Sequence, residues 1–311
     1  MALTITELEA LTRDYWDKGS WDQYFLGNIL MYRLLKKGNK YTGGKKIRTI
    51  LDYGEPHGGD FNAQSTFDTN KYEEHTAAFY TPAYYYEPVS YDIDDIVQNT
   101  GPEQEVDVVN AKLTKSQKKI RSKMADDLYG SSSYGASGRK ILGLPAMCST
   151  TSTYGEIAVA DMPEWVAGAV TSTTEPISFG VMRTLRTACT VGDGPEDEAT
   201  IFVTTRTIMD AVKGMTLPMQ RFENVELAQV GFKNIIFEGT PVVADYKCTS
   251  GYLYNLNENY LDFKSHVDFF FKRQPWMRPT DKPLWSCQLF WVGQLVCKRR
   301  KAQGSHYNLT T

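Results

Sequence analysis

The residues able to carry acid–base or metal chemistry are scattered in this 311-residue chain. Its four histidines are His57, His75, His266 and His306, and none belongs to an HExxH pattern or to a Cys-x-x-Cys pair with a partner histidine. Zinc sites need several such ligands at defined spacing, so the sequence predicts no zinc site.

Two other segments approach known ligand motifs without matching them. Residues 38–45 (GNKYTGGK) resemble a phosphate-binding loop, but the spacing is wrong by one residue and Lys46 stands where Ser or Thr is required. The acidic segment 192–198 (GDGPEDE) lacks the alternating aspartates of a calcium loop. We therefore expect no catalytic, cofactor-binding or metal-binding residue, and no enzymatic activity.

Composition favours a soluble globular protein that keeps its thiols reduced. The formal net charge is −3, so the chain as a whole has no electrostatic bias toward nucleic acid. The five cysteines are odd in number and scattered, which argues against a disulfide framework. Neither a signal peptide nor an apolar run long enough to span a membrane is present.

The elements that would position these residues begin with two short N-terminal helices. Thr6 with Glu9 and Ser20 with Gln23 have the spacing of capping boxes. Phe25, Ile29, Tyr32 and Leu35 then follow at helical spacing. The second helix either packs on its own core or forms an arm that docks on a neighbouring subunit.

Residues 44–91 carry two strand candidates, around 45–51 and 77–91, separated by a polar, glycine-containing stretch. A connection of this length is unusual inside a compact domain. It is interpreted as a disordered surface loop or as a long projecting hairpin with a reach of about 50 Å. Because isolated hairpins are marginal in water, the Tyr84-Tyr85-Tyr86 cluster should bury against another part of the structure.

A long helix is predicted over residues 106–129, with one apolar stripe and a lysine-rich opposite face that is either solvated or in contact with nucleic acid. Strand and helix signals alternate beyond it, which indicates an α+β body. Within that body, residues 234–244 predict a hairpin around Gly239-Thr240-Pro241. The basic cluster 298–301 either binds phosphate or is a solvated strand end.

This order of elements resembles the major capsid proteins of tailed phages, which have the Hong Kong 97-type fold. Local likeness is strongest in residues 200–205, in 239–245 (GTPVVAD) and in 293–297 (GQLVC). The resemblance implies an N-terminal arm (1–43), an extended β-hairpin loop (44–92), a peripheral domain with a long spine helix (93–165 with 258–311) and an axial domain (166–257).

The resemblance also implies function and partners. Hexamers and pentamers of the chain would form an icosahedral phage head, a virion component made in the host bacterial cytoplasm. Partners would be other copies, a separate scaffolding protein, a portal, a decoration protein, and double-stranded DNA bound without sequence preference on the inner face. No cofactor and no membrane are implied. We expect subunit interfaces at Phe25, Ile29, Tyr32, Lys45, Arg48, Tyr84, Tyr85, Tyr86, Asp193 and Glu196.

Two alternatives stay open at this point. A different virion component, such as a decoration or tail-tube protein, would form small rings or tubes. An unrecognised hydrolase would be a monomer or small oligomer with a real pocket. No covalent crosslink between subunits is predicted, although Lys45, Lys46 and Lys71 are available.

Overall fold

The fold is that of a computed structural model, which describes residues 27–54, 60, 62, 66, 74–98, 108–130, 132–194, 196–216, 234–279 and 282–311. Six α-helices lie within these ranges: α1 (Ile29–Lys37), α2 (Ile93–Gln98), α3 (Val108–Gly130), α4 (Leu144–Met147), α5 (Phe179–Cys189) and α6 (Arg206–Thr216). Fifteen strands accompany them: β1 (Lys40–Tyr41), β2 (Ile47–Asp52), β3 (His75–Tyr80), β4 (Ala83–Asp92), β5 (Ala169–Thr171), β6 (Glu175–Pro176), β7 (Ile201–Thr204), β8 (Asn234–Phe237), β9 (Thr240–Ala244), β10 (Leu253–Leu256), β11 (Leu261–His266), β12 (Lys272–Arg273), β13 (Leu284–Cys297), β14 (Gly304–His306) and β15 (Leu309–Thr310).

The long strand β13 organises a five-stranded sheet. β4 pairs with it over ten residues, from Leu284↔Asp92 to Gly293↔Ala83, and β11 and β12 also pair with it. β1 extends the sheet beyond β11. Helix α3 packs against β4 and β13. Within the sheet, Trp291 of β13 stacks on Phe263 of β11 at 5.3 Å between ring centres.

Helix α3 confirms the long helix expected from the sequence. The predicted apolar stripe consists of Val106, Val109, Leu113, Ile120, Met124 and Leu128. Its last three residues are buried, Val109 and Leu113 are half-buried, and Val106 lies outside the described residues. The C-terminal half of the stripe therefore lies in the core, as a 3.6-residue period predicts.

A second, six-stranded sheet has the order β5-β14-β10-β7-β9-β8. Helices α5 and α6 pack on it over a separate apolar cluster that includes Met182, Phe202 and Val212. The short strand β14 lies in residues 258–311, which the sequence interpretation assigned to the peripheral domain. It nevertheless pairs with β5 and β10, which lie in the segment assigned to the axial domain. The domain boundaries inferred from the sequence stay a prediction.

The hairpin predicted around Gly239 is confirmed, with one difference in its turn. β8 and β9 pair from Asn234↔Val243 to Phe237↔Thr240, so the connection is the dipeptide Glu238-Gly239. Both residues have positive φ, +46° and +82°, as a type I′ turn requires. Pro241 lies within β9 instead of the turn. Because β7 pairs only with residues 242–244, proline costs no ladder bond there.

Candidate assembly surfaces

Helix α1 is held to the body by a buried carboxylate. The Asn28 side chain caps the helix by accepting a hydrogen bond from the Met31 amide, and its Nδ2 donates to Asp245 Oδ1 at 2.8 Å. The Leu30 amide and the Tyr129 hydroxyl donate to Asp245 Oδ2 at 3.3 and 2.9 Å. Asp245 follows β9 directly, so it joins α1, α3 and the end of the β8–β9 hairpin.

Two further acidic residues continue this attachment along the chain. Arg33 donates two hydrogen bonds, at 2.7 and 2.5 Å, to the Glu258 carboxylate in a bidentate pair. The Asn39 amide nitrogens donate to Asp262. Glu258 and Asp262 are both buried, like Asp245. Three buried carboxylates thus hold residues 28–39 to the body, and these pairings are between residues more than 200 positions apart, which sequence patterns do not predict.

The predicted interface residues of α1 divide by exposure. Ile29 is buried in the chain's own core, whereas the Tyr32 side chain faces outward with 46% of its surface exposed. Phe25 lies outside the described residues. One face of the helix therefore packs on the chain's own core, which is the first of the two interpretations given above. An interface role for the other face stays a prediction.

The predicted long hairpin has a regular base. Six residue pairs join β2 to β3, from Ile47↔Tyr80 to Asp52↔His75. The Phe79 amide donates to the Gly155 carbonyl at 2.8 Å, which ties this base to the body. Lys45 and Arg48 are exposed there, and Ile50 exposes 66% of its side chain. Most residues between 55 and 73 lie outside the described part of the chain.

The tyrosine cluster is divided by the two-residue period of strand β4. Tyr85 is buried, and its hydroxyl donates to Asp127 Oδ2 at 2.7 Å and accepts from the Ile141 amide. Tyr84 and Tyr86 point to the other face and are 53% and 65% exposed. Only these two present aromatic surface to a partner, and the guanidinium of Arg139 lies over the Tyr84 ring at 4.7 Å.

The acidic turn is held by its own chain. Asp197 Oδ1 accepts hydrogen bonds from the Tyr260 hydroxyl at 2.6 Å and from Arg299 at 3.2 Å. Glu198 pairs with Arg186. Asp193 and Glu196, the two predicted interface residues, are exposed. They carry negative charge on a surface whose role in assembly stays a prediction.

Neither interpretation of the basic cluster 298–301 holds for Arg300, which is a buried structural residue. Its guanidinium donates to five backbone carbonyl oxygens at 2.7 to 3.1 Å. The acceptors are Met147, Ser152, Trp165, Ala146 and Ser149. Such a residue is committed to its own loop and cannot bind phosphate. Lys298, Arg299 and Lys301 are exposed.

Lysines of α3 also bind their own chain. Lys112 Nζ donates to Asp95 at 2.7 Å and Lys119 Nζ pairs with Glu87. These pairs partly neutralise the positive charge of the lysine-rich face within the subunit, which lowers its electrostatic attraction for phosphate groups. A solvated face with local ion pairs fits this arrangement better than a dedicated nucleic-acid surface.

The described residues contain no group of three or more His, Cys, Asp or Glu placed to hold a metal ion. Burial raises the pKa of Cys189 to about 11 and that of Cys297 to about 12, so neither thiol is a nucleophile at neutral pH. Across the same residues, no helix has the length and apolar character needed to cross a membrane.

Sequence comparison identifies no relative, since neither a protein-family model nor a curated protein matches the chain. Solved structures do match. The first covers 99% of this chain and 99% of its own, with a TM-score of 0.77 and 18% identity, and comes from the capsid asymmetric unit of cyanophage A-1(L). The chain adopts the Hong Kong 97-type capsid fold.

Other structures with the capsid fold match over similar lengths. The capsid of Myoviridae phage XM1 has a TM-score of 0.61 at 12% identity and 99% coverage of both chains. The SrpI encapsulin complex of Synechococcus elongatus PCC 7942 has a TM-score of 0.63 at 11% identity, covering 99% of this chain and 96% of that one. These likenesses confirm the predicted α+β capsid fold.

Proposed function

We propose that this chain is the major capsid protein of a tailed phage, a structural subunit that forms an icosahedral head from hexamers and pentamers. The observation that carries the proposal is the end-to-end match, 99% of both chains, to a cyanophage capsid subunit. A match that spans nearly all of both chains favours the same use of the fold, although a fold alone does not fix a function.

The distribution of exposed apolar side chains supports this proposal. Large apolar residues are exposed at several separate places among the described residues, including the hairpin, β4, the loop after β9 and a segment beside β13. Examples are Ile50, Tyr84, Tyr86, Tyr246 and Met277, while Tyr32 and Phe270 lie together at one groove. A shell subunit must bury area against several neighbours at once, and stable interfaces bury about 1,600 Å² each. Scattered apolar anchors suit that need better than they suit a substrate site.

Negative-stain microscopy of the purified 35.2 kDa chain tests the proposal directly. We expect closed shells of regular diameter, formed alone or with a scaffolding protein. Small rings or tubes would instead indicate a decoration or tail-tube protein. Monomers in every condition, with and without a scaffold, would contradict a capsid role and reopen the hydrolase alternative.

The contents of the shell form a separate part of the proposal, because the same fold occurs in phage capsids and in an encapsulin complex. We propose that the head encloses double-stranded DNA, with a portal, a scaffolding protein and a decoration protein as further partners. Particles isolated from producing cells should hold nuclease-protected DNA. Particles that hold only protein would contradict this part while leaving shell formation intact.

A further inference from the structure

A groove of about 390 Å³ lies between helix α1, helix α3 and the loop that carries Phe270. Its apolar surface comes from Met31, Leu35, Ala125 and Phe270. Its cations are Lys36, Lys118, Arg121 and Lys247. The groove therefore combines an apolar floor with a basic rim.

The charge of this groove is one-sided. None of the described residues that line it is acidic. Lys247 forms an ion pair at 2.7 Å with Asp126, which does not line the groove. The Arg121 guanidinium lies 5.1 Å from the centre of the Phe271 ring, and this cation–π contact does not neutralise the positive charge of Arg121. The complementary occupant is an amphipathic segment that is acidic on its polar side.

Residues 1–26 have that composition and join the chain at the groove. They contain five acidic and two basic residues, a net charge of −3, so the remaining residues 27–311 sum to zero. Ile5, Leu8, Leu11 and Tyr15 fall at helical spacing on one face, with Glu7, Asp14 and Asp17 away from it. Gly27, the next residue in the chain, lines the groove itself.

We propose that residues 1–26 bind in this groove of their own chain. The apolar face would contact Met31, Leu35 and Phe270, and the carboxylates would face Lys36 and Arg121. The occupant and the groove are then parts of one subunit, so binding needs no shell and takes place in unassembled protein. Failure of this proposal would leave the proposed function untouched, and the reverse also holds.

Engineered cysteines provide the test. The five native cysteines are buried, so a bismaleimide reagent reacts selectively with an added pair. In the full-length chain, Thr12→Cys would be combined with Ser122→Cys, which lines the groove, or with Ser172→Cys, an exposed residue beyond β5. We expect an intrachain link in dilute, unassembled protein for the Ser122 pair and at most one-tenth of that yield for the Ser172 pair.

Charge reversal then tests the chemistry of binding. Lys36→Glu with Arg121→Glu should lower the yield of the Ser122 link about fivefold or more at low salt, since both cations would repel the segment. Lys298→Glu with Lys301→Glu makes the same charge change at exposed residues that do not line the groove and should leave the yield unchanged. Circular dichroism and thermal melting would establish that all variants are folded.

Three results would overturn the proposal. Links that join two chains would place the segment on a second copy. Equal yields for the Ser122 and Ser172 pairs would show that the segment has no preferred site. A yield that is unaffected by charge reversal would show that the basic rim does not bind it.

Discussion

At the residue scale, Arg300 shows how one buried cation can order a loop. The segment from 146 to 165 contains short turns whose carbonyl oxygens point inward, and the guanidinium satisfies five of them. The guanidinium of Arg300 also lies over the Tyr154 ring, 5.3 Å from the ring centre. An unpaired buried carbonyl costs about 1 to 3 kcal/mol, so the whole loop depends on this one side chain.

Arg300→Met should lower the free energy of unfolding by about 3 to 5 kcal/mol, because it keeps the apolar stem but removes every donor. Arg300→Lys should fall between this variant and the wild type, since an ammonium has three donors on one atom and cannot reach both sides of the loop. Urea denaturation measures both effects.

Arg299→Met is the matched control for Arg300→Met. Arg299 is exposed and makes a surface ion pair with Asp197 at 3.2 Å, which is worth about 0 to 1 kcal/mol. A loss for Arg299→Met as large as that for Arg300→Met would contradict the structural role assigned to Arg300.

Asp245 is the residue whose titration bears on the attachment of α1. Burial raises the pKa of the Asp245 carboxyl above its usual 3.8, and hydrogen bonds from Lys247, Tyr129 and Leu30 oppose that shift only in part. A carboxyl with a raised pKa in the folded state stabilises the fold most at low pH. Its contribution is lost as pH rises through the folded-state pKa.

At low pH we expect the wild type to have a higher free energy of unfolding than Asp245→Asn. We predict that this advantage of the wild type becomes smaller as pH rises from about 4. Urea denaturation over a pH series measures this difference. A wild-type advantage that grows with pH would show that the hydrogen bonds outweigh burial and that the sign is wrong.

At the element scale, the β8–β9 turn is the clearest case in which local sequence dictates local structure. Gly239 has φ of +82°, and an added Cβ would meet no atom within 4 Å. Any cost of a side chain there is therefore conformational rather than steric. Glu238 is fixed in the turn from outside, because Arg183 and Arg186 of α5 donate to its carboxylate.

Gly239→Ala should destabilise the protein by about 1 to 2 kcal/mol, the cost of a left-handed backbone for an L residue. Gly214→Ala is the matched change inside helix α6, where an added Cβ also meets open space. It should stabilise by about 0.5 to 1 kcal/mol, because glycine is a poor helix former. Thermal melting of both variants checks this pair, and shifts of the same sign would contradict it.

At the scale of the whole molecule, the sequence was sufficient for elements whose signals are local. Helix α3 and the β8–β9 hairpin follow from apolar periodicity and turn residues that lie within a few positions of each other. The fold assignment depended on their order along the chain. Long-range pairings were not predictable: Arg300 binds carbonyls more than 130 residues away, and its neighbours in the same basic run are exposed. Tyr85 likewise differs from Tyr84 and Tyr86 only through strand register.

The predicted long hairpin, of which the structure describes the β2–β3 base, leads to a prediction about the whole molecule. Its base is tied to the body through Gly155 and through Lys46, which pairs with Glu156 at 2.6 Å, so the body should fold without the distal part. Replacing residues 54–73 by Asn-Gly leaves the six β2–β3 pairs in place and closes them with a two-residue turn between Tyr53 and Glu74, whose backbone groups are already hydrogen-bonded. Under the proposed capsid function, we expect a folded protein with near-normal thermal stability that no longer forms shells, since the proposed contact area between neighbouring subunits is lost.

The matched control replaces the same 20 residues by a Gly/Ser linker of equal length, which keeps the reach of the segment but removes its side chains. If side-chain contacts with neighbours drive assembly, both variants lose shells in negative stain while their circular dichroism stays native. Shells from the linker variant alone would assign the role to chain length. Normal particles from the Asn-Gly variant would show that the hairpin is dispensable, and the subunit contacts would then have to come from surfaces such as Tyr84, Tyr86 and the outer face of α1.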